Sequence, residues 1–538
     1  MKEYYFIIAF YLLFSLILSS ISYTKFQKVN AVCGVIITFL LMLGINFTAN
    51  KYHLMTPDNQ KYLGYIWVAC SIYCFFIGSR ISKVSSKAAA QAGKYLFKIP
   101  LQNGNIMRFT DPFDNFMILA GANGGKTKAI GKNLLSEYIS NEFAGFIYDY
   151  KDFDYTKTAF HLIQKHNYKF PFYYISFTDM QRTYRFNPIK PSVINDENLL
   201  IQLMDDIFGA NLGEGDKKDI WYGGALGVLR GVAIRFYRDF KQHCTVPHIM
   251  LFILNTTIEN LSAFLRESPE SRTLASGFLS SEGSEKTQAS IMFSLTGYIS
   301  TIAFNKNIMY VLSGDDFDFN LIDPANPKMI SVANSYQIES LISPIMSLLV
   351  SVSSRAFTFA NKVPFFYFLD EATTFKIRDF EKMPSVLREY LCSIVFITQS
   401  GAKIEKSYGK LDRSSILSNF SNLFLGRTKD IEALKTYGLL FSKKEEFRRT
   451  DTTRGSEAGS VSLSKVEKDR YDPSFFTNLV AGEFVGSVSH SNFKEFHQKF
   501  KFYVPDPSES NDLPIVKMVS ESDVERNYRE IIQYVSNL

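Results

Sequence analysis

The sequence predicts an α/β protein: N-terminal transmembrane helices, then a P-loop domain with a mostly parallel central sheet and an inserted all-α domain. Three observations carry this. An apolar run, Phe116-Met117-Ile118-Leu119, leads into the small-residue loop Ala120-Gly121-Ala122-Asn123-Gly124-Gly125-Lys126-Thr127, and helical periodicity follows over 129–139. A later apolar run, Phe365-Phe366-Tyr367-Phe368-Leu369, ends in Asp370-Glu371. Three strongly apolar stretches crowd into residues 1–82.

The N-terminal stretches are 4–21, 29–47 and 62–79. The first two are each long enough to cross a bilayer core. The third is shorter and more aromatic, so two or three spans are expected. A cleaved leader is a poor reading of the first, because Lys2 and Glu3 make a weak charged start and further apolar stretches follow. Lys25 and Lys28 separate the first two, and Arg80, Lys83, Lys87, Lys94 and Lys98 follow the third. This positive-inside bias puts everything after Arg80 in the cytoplasm. Residues 1–82 are thus expected as anchor and 83–98 as a small, basic connector.

Strand, glycine-rich loop and helix, in that order, are what phosphate binding needs. Backbone N–H groups of Gly121, Ala122, Asn123, Gly124 and Gly125 turn toward an anion, and the helix start adds positive charge. Lys126 would reach the β- and γ-phosphates of ATP, and the Thr127 hydroxyl would hold Mg²⁺. Ala120 stands where the first glycine of the pattern usually is.

Residues 144–148 and 172–177 read as further strands, the first ending in Asp149-Tyr150-Lys151. From 192 to 279 helical periods replace strands, and an inserted all-α domain is expected there. Strand character returns at 328–332, and 340–359 reads as a helix. Asp370 then would hold the Mg²⁺, and Glu371 would orient the attacking water. The strand Ile394-Val395-Phe396-Ile397-Thr398 places Gln399 at the same sheet edge, where it would read the γ-phosphate. Residues 423–426, 484–488 and 499–504 complete the expected strands, while polar 447–470 reads as a mobile loop. The nucleotide-binding domain is thus expected over 99–191 and 280–504, with a tail, 505–538, ending in a helix at 522–535.

Composition sets wide bounds. Of 538 residues, 46% are apolar, enough for a large core, and the net charge of +6 permits nucleic acid without demanding it. Five cysteines, at 33, 70, 74, 244 and 392, form no C-x-x-C pair and read as small buried residues of a reducing compartment.

The ordered motifs resemble those of the coupling proteins of type IV secretion and conjugation, membrane-anchored hexameric ATPases related to the FtsK/HerA DNA translocases. The resemblance rests on residues 120–127, Asp149-Tyr150-Lys151, Asn187-Pro188, Leu369-Asp370-Glu371, Thr398-Gln399-Ser400 with Tyr408-Gly409, and Tyr471-Asp472-Pro473 through Gly482-Glu483-Phe484-Val485. It implies a RecA-like motor domain and a homohexamer in the bacterial inner membrane with its motor in the cytoplasm. The implied partners are the secretion channel and its ATPases, and a relaxase–DNA complex or secreted proteins. It further implies a neighbouring subunit's arginine at the γ-phosphate, and Arg388 falls where the family places it, ahead of Arg378 and Arg427.

Other readings remain open at this stage. A nucleotide-gated receptor would dock its substrate without moving it, and the intact Asp370-Glu371 pair speaks for the enzyme instead. Delivery of protein effectors is indistinguishable from DNA transfer in the sequence. An FtsK/HerA-like DNA pump would often carry a DNA-reading domain at its C-terminus, for which 505–538 leaves no room.

Overall fold

Runs of consecutive apolar residues become strands buried on both faces, as parallel sheets require. The computed structural model describes residues 94–210, 219–360, 363–441, 443–454 and 457–538. The three expected spans lie outside the described residues. Among the described residues no helix is long and apolar enough to cross a membrane. The chain divides into two units, Met1–Tyr95 and Leu96–Leu538, and all that follows concerns the second.

A short antiparallel hairpin, β1 (Phe97–Pro100) and β2 (Ile106–Phe109), opens that unit. The main sheet then begins with β3 (Phe116–Leu119). It continues with β4 (Ala144–Asp149), β5 (Phe172–Ile175), β6 (Met329–Ala333), β7 (Phe365–Leu369), β8 (Cys392–Thr398) and β9 (Asn422–Leu425). Two later strands, β12 (Glu483–Ser487) and β13 (Glu495–Lys499), extend one edge; β10 and β11 are described below. The spatial order is β13-β12-β9-β3-β8-β7-β4-β6-β5. The seven strands from β9 to β5 run parallel, and β12 and β13 are antiparallel. The sheet is therefore mostly parallel, as expected. After β3 the chain crosses to β4 and β5, then fills in β6, β7 and β8 on its way back. This places β8 between β3 and β7, so the loops after all three share one edge, where ligands of open α/β sheets bind.

Helix α1 (Lys132–Ser140) follows β3 through a π-helical turn, Lys126–Gly131, and α2 (Asp154–His166) follows β4. Between β5 and β6 the described residues form no strand. Eight helices fill this interval: α3 (Glu197–Gly209), α4 (Ile220–Asp239), α5 (Val246–Asn255), α6 (Ile258–Arg266), α7 (Pro269–Leu274), α8 (Ser276–Leu279), α9 (Glu285–Phe304) and α10 (Lys306–Leu312). Asp196, Asp219, Thr245, Thr257 and Ser268 cap the starts of α3 to α7 with their side chains, as such residues favour. The helical run continues past residue 279, as far as Leu312. Then come α11 (Glu339–Arg355), α12 (Met383–Arg388), α13 (Gly401–Tyr408), α14 (Lys410–Ser418), α15 (Ile431–Leu439), α16 (Pro473–Asn478) and α17 (Glu521–Val535).

Two local expectations are corrected. The polar stretch 447–470 is not a loop but an antiparallel hairpin, β10 (Lys444–Arg454) with β11 (Glu457–Lys468). Its alternating Ser, Thr and Val suit a strand, but it lacks the apolar face that would announce one. The strand expected at 499–504 is β13, ending at Lys499. Cys244 and Cys392 are buried free thiols, and the other three cysteines lie outside the described residues.

Candidate functional site

Gly125 opens the turn after β3 with φ 93°, a conformation that favours glycine. A Cβ there would also meet the backbone of Gly482 at 2.5 Å, and Gly482 donates its N–H to Gly124 at 3.0 Å. The segment before β12 thus backs the glycine loop. Ala120 takes the first position of the loop without a clash, because the positions its methyl faces, 124 and 426, are glycines.

Lys126 is 8% exposed and folds back over its own loop, donating from Nζ to Ala120 O at 2.6 Å. The same ammonium lies 3.8 Å from Glu371 Oε1. Glu371 follows β7 with φ 46°, a left-handed conformation that is costly for a residue with a Cβ. Gln399, following β8, donates to Glu371 Oε1 at 3.1 Å. Lys403, on the first turn of α13, approaches Glu371 Oε2 at 3.8 Å. Lys151, following β4, donates to Thr127 Oγ1 at 3.3 Å. Tyr155 is buried beside Thr127 and Asp370. The fold therefore brings Lys126, Thr127, Asp370, Glu371 and Gln399, far apart in the chain, to one sheet edge.

Charge in this edge is unevenly met. Burial pushes the Asp370 carboxyl up to about 7, opposed by Lys151 and helped by Glu371 and Asp149. Burial likewise lowers the Lys126 ammonium, opposed by Glu371 and Asp370. Asp370 is 1% exposed, and its Oδ2 has no hydrogen-bond partner. A buried carboxylate oxygen left unpaired is costly in protein and suited to a divalent cation. Asp370 and the Thr127 hydroxyl thus fit Mg²⁺. Of the loop expected to cradle phosphates, Gly121 and Gly124 donate their N–H groups to Arg427 O at 2.8 Å and Gly121 O at 3.1 Å, so Ala122, Asn123 and Gly125 with Lys126 are the part that fits a polyphosphate.

The arginines lie elsewhere. Arg388, at the end of α12, pairs with Asp114 Oδ1 at 2.6 Å and Asp111 Oδ2 at 3.4 Å. Asp114 precedes β3, whereas the glycine loop follows it, so Arg388 sits at the opposite edge of the sheet from Lys126. Arg378 pairs with Asp206 of α3 at 3.2 Å. Arg427 lies beside the loop: its carbonyl accepts from Gly121 N–H at 2.8 Å, and its guanidinium donates to Ala122 O at 3.5 Å.

Sequence reasoning gives no task to Lys151, Tyr155 or Lys403. Asp149-Tyr150-Lys151 is visible as a pattern, but only the crossing from β3 to β4 puts its lysine over Thr127. Nothing in the sequence marks Lys403, which reaches Glu371 because its helix, Gly401–Tyr408, starts beside the end of β8.

Residues 364–473 match the family described as the TraM recognition site of TraD and TraG. No curated protein matches the chain by sequence. Among solved structures, the chain is similar to the bacterial conjugative coupling protein TrwBdeltaN70, with a TM-score of 0.60 and 16% identity, over 77% of this chain and 91% of that one. TrwB in complex with ADP and Mg²⁺ matches with a TM-score of 0.57 and 14% identity, over 74% of this chain and 88% of that one. TrwB with the ATP analogue ADPNP matches with the same TM-score and coverage at 15% identity. At these identities the likeness shows a shared fold.

Proposed function

We propose, from the fold shared with a conjugative coupling protein and from the TraM-recognition match, that this chain is a coupling ATPase of a type IV secretion system. It recruits a conjugative DNA–relaxase complex or a protein substrate and drives it toward the secretion channel with ATP. The carrying observation is the meeting of Lys126, Asp370, Glu371 and Gln399 beside the glycine loop. The ligands of the TrwB structures, ADP with Mg²⁺ and an ATP analogue, agree with that chemistry.

Each residue then has a task. The glycine loop cradles the phosphates, and Lys126 leaves Ala120 O to neutralise the β- and γ-oxygens. Thr127 and Asp370 would hold Mg²⁺, which would supply positive charge to the phosphates. Glu371 orients the attacking water, and Gln399 fixes the Glu371 carboxylate and would read the γ-phosphate. Arg388 is the residue a neighbouring subunit would offer in a hexameric ring. Residues 1–82 anchor the chain in the inner membrane, with the nucleotide-binding domain in the cytoplasm.

Glu371→Gln tests the site. Nucleotide binding should persist while hydrolysis falls about 10²–10⁴-fold, the usual worth of a positioned general base. Hydrolysis at the wild-type rate would refute the assignment. Crosslinking the chain in cells and identifying what is recovered, DNA or protein, decides the substrate.

A further inference from the structure

The turn after β4 concentrates backbone strain beside one lysine. Asp152 (φ 49°) and Phe153 (φ 73°) are consecutive non-glycine residues in the left-handed region. Such conformations persist where the surroundings over-determine them. Asp149, fully buried, accepts from the Thr156 N–H at 2.8 Å, the Thr156 hydroxyl at 2.7 Å and the Lys151 N–H at 3.3 Å. The Asp152 N–H donates to Asn334 O at 3.2 Å, and the Tyr150 hydroxyl donates to Glu339. Phe153 packs with Tyr174, Ala333 and Leu513. The backbone on both sides of Lys151 is therefore held, while Lys151 itself is exposed on a flexible stem, its Nζ 3.3 Å from Thr127 Oγ1.

We propose that Lys151 is a second nucleotide-site lysine, which reads the terminal phosphate of a bound triphosphate and so sets the preference for ATP over ADP. The inference rests on the ATPase reading above. The Thr127 hydroxyl, once it ligates Mg²⁺, no longer accepts from Lys151, because two cations on one oxygen repel. Lys151 must then find another anion. Glu371 is already shared by Lys126, Gln399 and Lys403. Asp370 is committed to the metal. The γ-phosphate oxygens are anionic acceptors that a triphosphate adds to the site and a diphosphate lacks. The rigid turn keeps the lysine's base fixed, so the side chain alone makes this exchange.

The test is equilibrium binding to the full chain. Fluorescent ADP is compared with a fluorescent non-hydrolysable ATP analogue, both with Mg²⁺. Lys151→Met keeps the stem and removes the charge. It should weaken the Mg²⁺–triphosphate by about 10- to 100-fold, the worth of one charge-assisted hydrogen bond, and leave ADP binding unchanged. Lys151→Arg should restore most of the triphosphate affinity. Equal losses for both nucleotides would make Lys151 a prop for Thr127, and no loss would make it a bystander; either overturns the proposal. Lys126→Ala serves as the separate control. If it binds both nucleotides like wild type, the nucleotide-site reading itself fails, whatever Lys151 does.

Discussion

A single methyl group at Ala120 dictates two glycines far along the chain. A Cβ at position 426 would lie 2.7 Å from the Ala120 Cβ and 2.9 Å from the Phe484 ring, and one at 124 would lie 2.9 Å from the Ala120 Cβ. Overpacking of this kind costs about 1–3 kcal/mol. Gly426→Ala should therefore destabilise the chain by about that much in denaturant unfolding and weaken nucleotide binding. Adding Ala120→Gly should recover part of the loss, since only the Phe484 contact then remains. A double variant as unstable as the single one would show that Ala120 has no share in the clash. Lys126, Thr127, Asp370, Glu371 and Gln399 were legible because each follows an apolar strand in a known order. Lys151 and Lys403 were not, because their nearness to Thr127 and Glu371 is set by which strands are neighbours, and the string does not hold strand order.

Buried runs announce themselves, and edges do not. Strands β3, β4, β7, β8 and β9 are buried at every residue and stand out as apolar words. By contrast β13, Glu495–Lys499, buries one residue of five, and β10 pairs with β11 alone, so neither carries the pattern of a core strand. The tail is intermediate. Its helix α17 was legible from its periodicity, with Ser520 and Asp523 forming a capping box, but its docking was not. Leu513 packs beneath Phe153 at the sheet edge, whereas α17 lies on α5 and α10. Val524, Ile531 and Val535 are buried there, Tyr534 stacks on His243 at 3.7 Å, and Glu525 pairs with Lys306. Burying three such side chains contributes at most roughly 4–9 kcal/mol. A chain truncated after Pro505 should lose hydrogen-exchange protection at Val246–Asn255 and Lys306–Leu312 while β3, β7 and β8 stay protected. Unchanged exchange in those two helices would mean the tail lies on them without holding them.

The whole molecule raises the question of what Arg388 does. Within one chain it cannot serve Lys126's nucleotide, because β3 separates Asp114, its partner, from the glycine loop, and four strand residues span about 13 Å. Arg388 is 44% exposed at its side chain, while Asp114 beneath it is 2% exposed. Both carboxylates hold the guanidinium through Nη2, and the rest of the side chain stays partly exposed. A ring of identical subunits, each lending one face to the next, would bring that side chain to a neighbour's nucleotide. An arginine supplied in this way is worth about 10³–10⁵ in rate. Lys126→Ala subunits keep Arg388 beside a dead site, and Arg388→Ala subunits keep a complete site without its neighbour's arginine. Each alone should be nearly inactive. Mixed at equal amounts in a randomly assembled ring, about a quarter of the interfaces would pair a live site with an intact arginine, so activity should return toward about a quarter of wild type. If co-assembled mixtures recover nothing while Arg388→Ala unfolds more readily than wild type, Arg388 is a clamp on Asp114 and Asp111, and the neighbour's charge must come from another residue.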